Sequence, residues 1–106
     1  MLLTEPFLLA SKERVAALAA KHSLAVVYNL RDYVEAGGLM AYAPDFAVMF
    51  RRAAEYVDRI VKGARPADLP IEQPTQFELV VNVKAAKPLR LAIPQSVLTR
   101  ADEVIQ

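Results

Sequence analysis

The sequence predicts an α/β fold, a three-layer α/β/α arrangement built on a mostly parallel sheet. Three observations predict it. Apolar runs of strand length at residues 24–28 and 39–43 each follow a helical segment, the pattern of parallel strands covered on both faces. Strand-like and helix-like segments alternate from Met1 to Lys62, the order that right-handed crossovers require. The helix expected at residues 46–62 is amphipathic and has a stop signal at each end.

Taken in order, residues 1–4 read as a short buried strand closed by Glu5 and Pro6. Ser11 is placed to cap a helix over residues 12–21, whose stripe of Val15, Leu18, Ala19 and His22 keeps i, i+3, i+4, i+7 spacing. The 24–28 strand follows. A short helix over residues 31–36 ends at Gly37, a residue able to take the left-handed conformation after a helix. The 39–43 strand stops at Pro44, and Asp45 caps the long helix.

Phe46, Met49, Phe50, Ala53, Val57 and Ile60 share one face of that helix. Glu55–Arg59 and Asp58–Lys62 have the favoured i, i+4 order, worth roughly 0.2–0.5 kcal/mol each. Gly63 ends the helix. Residues 64–75 hold Pro66, Pro70 and Pro74 and read as an extended connector. Residues 76–83 alternate, with Phe77, Leu79, Val81 and Val83 on one face, as in a half-exposed edge strand. Single helical turns are expected at residues 84–89 and 94–100, the second with Pro94 near its first position.

With 106 residues the chain reads as a single domain. Its net charge of +1, with acids and bases interleaved, gives no basic face for nucleic acid. Lacking cysteine, it has neither disulfides nor thiolate-held zinc. One histidine and no carboxylate cluster leave no metal site and call for no cofactor; no nucleophile, base and orienting group converge, so no enzyme is expected. His22 reads as structural, at a helix end whose dipole suits an imidazolium. Residues 1–6 lack the basic segment and apolar core of an export signal, and the chain reads as a piece of something longer.

Open α/β sheets bind ligands outside the carboxyl ends of their strands. Here those ends carry Tyr28, Asn29 and Arg31, and then Tyr42 to Asp45. Tyr28 and Tyr42 suit either stacking on a ligand or ordinary core packing. Arg31 could clamp a carboxylate and Glu35 accept from an amine, or both, with Asp32, form a solvated helix face. Gly37 and Gly38 offer either close backbone approach to a ligand or a helix cap with a tight strand entry. Asp45 reads as a cap.

The runs Glu35-Ala36-Gly37-Gly38-Leu39-Met40-Ala41-Tyr42-Ala43-Pro44 and Arg51-Arg52-Ala53-Ala54-Glu55-Tyr56-Val57-Asp58-Arg59-Ile60 carry a resemblance. So do Pro66-Ala67-Asp68-Leu69-Pro70 and Ile93-Pro94-Gln95-Ser96-Val97-Leu98. Together they resemble the ABC-transporter substrate-binding proteins of tryptophan and tyrosine type, over the last third of such a protein. Family members often have serine at Ala41, glycine at Ala43 and glycine at Arg90.

The resemblance implies a type I periplasmic-binding-protein-like fold, two lobes that close on a small solute, and delivery of that solute to an ABC permease. It implies a periplasmic location and an amino acid as a plausible solute. At the cleft it points to Tyr28, Arg31, Glu35, Gly37, Gly38 and Tyr42, to which the strand-end position adds Asn29 as a ligand-binding candidate. The alternative function is a free-standing α/β interaction module that forms a homodimer and has no ligand of its own.

Overall fold

A computed structural model describes residues 1–2 and 5–106. The chain divides into two compact units, residues 1–43 with 78–106, and residues 44–77.

The first unit begins with a bridge. Leu2 pairs with Tyr28 in the parallel sense, its N–H donating to the Val27 carbonyl at 3.0 Å. The expected strand at residues 1–4 is thus present at Leu2, while Leu3 and Thr4 lie outside the described residues. Pro6–Ala10 form helix α1, which the sequence reading missed because five residues show no periodicity. Its signals are local: Pro6 opens it, and the Glu5 carboxylate accepts from the Leu8 N–H at 2.6 Å.

Helix α2, Lys12–Lys21, has the predicted bounds, with Ser11 before it. Ser11 makes no side-chain cap bond, because the chain enters α2 directly from α1 and the Ser11 N–H already donates to Leu8. Ala16 is the residue that α2 buries, and Leu18 stays exposed. Strand β1 is only Val27–Tyr28, shorter than the 24–28 run; Leu24 is exposed and closes the end of α2 by donating to Ala19.

Helix α3, Arg31–Glu35, leads into strand β2, Met40–Pro44. Pro44 is the last residue of β2 rather than its stop. Strand β3, Phe77–Asn82, α5, Val83–Ala86, α6, Gln95–Arg100, and β4, Glu103–Ile105, complete the elements that touch this unit. The sheet order is β1-β2-β3-β4. β1 and β2 are parallel, with Tyr28 opposite Ala41, as are β3 and β4, with Val81 opposite Val104. The Asn82 N–H donates to Leu39, so the end of β3 meets the start of β2 and these two strands run antiparallel.

β3 is therefore a central strand, a correction to the edge strand that the alternation predicted. Val80, Val81 and Asn82 are buried, and β4, unread in the sequence, covers the outer side. The continuous run Leu79-Val80-Val81 is apolar on both faces, which is what a covered strand needs. Asn82 ends β3 and caps α5, its side-chain oxygen accepting from the Ala85 N–H at 3.1 Å.

Tyr28, Tyr33, Val34, Ala41 and Val80 form the core of this unit. The Tyr28 and Tyr33 rings stack with centroids 4.9 Å apart and planes 10° apart, a pairing worth about 0.5–1.5 kcal/mol beyond burial.

The second unit is one long helix and a strap. Helix α4, Phe46–Val61, starts at Asp45, whose carboxylate accepts from the Val48 N–H at 3.2 Å, as the cap reading required. Lys62 and Asp58 pair at 3.0 Å. Glu55 pairs with Arg52 instead of Arg59, whose guanidinium lies 5.8 Å from the Tyr56 ring centre. Residues 64–75 are extended as expected, apart from a 3-10 turn at Pro66–Asp68. Arg52 holds the strap bidentately through Glu72, at 2.8 and 2.6 Å, and the Tyr56 hydroxyl donates to the Pro70 carbonyl at 2.6 Å.

Candidate functional site

The carboxyl ends of β1 and β2 lie side by side. One step past the Tyr28–Ala41 rung, Asn29 and Tyr42 follow at the same edge. β2 turns Ala41 and Ala43 into the core, so by the period of two Tyr42 projects to the other face, where it is 55% exposed. Asn29 is half-buried and Glu35 exposed.

Tyr28 takes the opposite role. It is fully buried, and burial, with the neighbouring Tyr33 phenol, pushes its phenol above the ordinary value and keeps it neutral. It forms the floor beneath the edge rather than its surface. Tyr33, its stacking partner, was not singled out in the sequence; it sits on α3 between the more conspicuous Arg31 and Glu35.

Gly37 and Gly38 build the cap of α3. Gly37 has φ +111°, a conformation that side chains resist, and its N–H donates to Val34 while that of Gly38 donates to Tyr33. Both amides are thus used within the chain. Gly38 is also needed for space, since a Cβ there would lie 2.6 Å from Tyr28 Cε2 and 2.7 Å from the Tyr33 carbonyl oxygen.

Arg31 gathers three carboxylates. Its Nε donates to Glu35 at 2.7 Å, one terminal nitrogen lies 3.6 Å from Glu78, and the other pairs with Glu103. Hydrogen bonds to Glu35 and then Glu103 raise its pKa further, so it stays charged. One cation among three anions leaves excess negative charge at this edge. The geometry favours an ammonium approaching Glu35 over a carboxylate approaching Arg31. Glu78 and Glu103 were not legible as partners, because they come from β3 and β4, far along the chain. Asp32 turns instead toward Lys12, at 3.9 Å.

Asp45 serves α4, and His22 follows the last turn of α2 as its cap residue, exposed. Among the described residues no group of histidine and carboxylate side chains is arranged to hold a metal ion. Nor is any helix among them long and apolar enough to cross a membrane.

The sequence profile of a family described as "ABC transporter substrate binding protein" matches residues 6–105. Among solved structures, a conserved domain protein from Vibrio cholerae is 28% identical with a TM-score of 0.83, over 90% of this chain and 32% of that one. An ABC domain in complex with L-Trp from Streptococcus pneumoniae is 30% identical with a TM-score of 0.77, over 86% of this chain and 32% of that one. A ligand-free, open substrate-binding protein with adhesive properties from Clostridium difficile shares the fold at 19% identity and a TM-score of 0.65, over 97% of this chain and 34% of that one. The chain thus spans about a third of the length of these structures. Among curated proteins none matches.

Proposed function

The chain belongs to the ABC transporter substrate-binding protein family, and we propose that it forms the C-terminal part of a periplasmic receptor that closes on an amino acid and passes it to an ABC permease. The observation that carries this reading is the family match along residues 6–105, joined to a strand edge at which Tyr42 stands exposed. The pneumococcal neighbour's L-Trp supports the amino-acid class. So does the chemistry of the edge: Tyr42 offers a ring face, Asn29 a side-chain amide, and Glu35 an acceptor for an ammonium.

In this reading Tyr42, Asn29 and Glu35 touch the solute. Tyr28, Gly38, Gly37 and Arg31 position them: the buried ring and the glycine cap fix the end of α3, and Arg31 aims Glu35. The protein binds without chemistry, so solute leaves as it entered.

Calorimetric titration of the chain with an amino-acid panel tests this. Aromatic amino acids should give saturable heat that Tyr42→Ala reduces about tenfold in affinity, and Glu35→Gln should weaken them but not their des-amino analogues. No heat with any amino acid, from a chain shown folded by circular dichroism, contradicts the reading.

A second reading, self-association, is favoured by one observation. Phe50, Val57 and Val61 on α4 are 73%, 61% and 80% exposed, an apolar stripe with no cover among the described residues.

A further inference from the structure

The stripe on α4 has a symmetry of its own. At about 100° per residue, Phe46, Phe50, Val57 and Val61 fall within one narrow sector of the helix, with Ala53 and Ala54 midway along its length, one at each edge of the sector. The order reads large, large, small, small, large, large in either direction. A twofold axis between Ala53 and Ala54 would set Phe46 against the partner's Val61 and Phe50 against the partner's Val57. The alanines at the crossing point let two backbones approach closely.

The charges beside the stripe follow the same symmetry. Arg51 and Asp58 are seven residues apart, on one flank of the apolar sector and on the same side of it. In an antiparallel pair, like flanks of the two helices face each other. Arg51 then comes within about two residues, roughly 3 Å along the axis, of the partner's Asp58, and the reverse contact forms with it. Arg51 makes no ion pair among the described residues, and Asp58 holds only the exposed Lys62. A chain whose single flank carries both members of the pair is complementary to itself.

We propose that α4 docks against α4 of a second copy of this chain, antiparallel, with Phe50 and Val57 at the centre and two Arg51–Asp58 pairs at the rim. This rests on the self-association reading and gives it a geometry. It leaves the solute edge of the first unit independent of the contact. A helix of 16 residues is about 24 Å long, so the interface falls at the small end, roughly 1,200 Å² or less in total, and the dimer is weak.

Sedimentation equilibrium up to millimolar chain, in low salt, tests the proposal. The unmodified chain should dimerise, and Phe50→Glu should abolish the dimer while circular dichroism stays unchanged. R51E alone and D58R alone should each weaken association about five- to tenfold by placing like charges across the axis. The double variant R51E/D58R should recover the original affinity, and the two single variants mixed should form a heterodimer in preference to either homodimer. Within one helix these positions lie a full two turns apart, so such coupling arises only between copies. Dimerisation without rescue by the double variant overturns the geometry and leaves self-association standing. A monomer at every concentration overturns both, and assigns the stripe to a different polypeptide, such as the remaining part of a two-lobed receptor.

Discussion

Helix α3 has five residues and buries two of them completely, Tyr33 and Val34; helix α4 has 16 and buries none. Both are patterned for burial. The longer helix is the better formed in isolation, with a cap at Asp45 and an ion pair at its end. The difference lies in what each can reach. α3 is folded back by its glycine cap onto Tyr28, so its apolar side meets the sheet at once. Within its own unit, α4 meets a proline strap through the polar contacts Arg52–Glu72 and Tyr56–Pro70. Amphipathic pattern secures a helix, but burial depends on a second surface, and the first unit contains its own.

The sharpest way to break this comparison is to truncate matched aromatics. Tyr33→Ala should lower stability by about 3–5 kcal/mol, because it opens a cavity among Tyr28, Val34 and Val80. Phe50→Ala should shift the stability of dilute chain by no more than about 0.5 kcal/mol. Urea unfolding of both variants measures this, and similar losses would remove the distinction between the units.

Gly38→Ala comes next. The added Cβ presses on a ring that has nowhere to go and on a backbone oxygen, so a loss of about 1–3 kcal/mol is expected in the same assay. An unchanged midpoint would mean that the α3 cap is looser than its contacts indicate.

A gain is expected at Arg90. It stands at φ +53°, with its N–H donating to Lys87 and that of Leu91 to Ala86, a left-handed position following α5. Arg90→Gly should raise stability by about 0.5–1 kcal/mol, read as a higher melting temperature.

The smallest effect concerns the strap. Arg52 holds the Glu72 carboxyl at about 2, below its ordinary 4.5. The folded value is the lower one, so whatever the pair contributes is present above about 4.5 and is lost as pH falls toward 2. The melting difference between the unmodified chain and Glu72→Gln should therefore be full at pH 5 and shrink steadily as pH falls through 2.

What the sequence made legible follows from range. Caps and turns are written within a few residues, so Asp45, Gly37 and the bounds of α2 were readable directly. The resemblance supplied the family and also the glycine preference at Arg90. Long-range pairing was not readable. β4 is three residues, Glu103–Ile105, with no alternation to reveal it, and without it β3 looked like an edge. The same gap hid Glu78 and Glu103 from Arg31, so the charge of the candidate site had a different sign from the one Arg31 alone implied. Tyr28 and Tyr42 looked alike as strand-end tyrosines, and only the facing of β2 against β1 separates the buried ring from the exposed one.

In the proposed protein, solute belongs to the β1–β2 edge and association to α4. The most direct test is an amide NMR titration of dilute, isotope-labelled chain with L-tryptophan. Shifts confined to residues 29–43, absent from α4 and lost in Tyr42→Ala, are the predicted result. Shifts concentrated along residues 46–76, or none at millimolar solute, would contradict it.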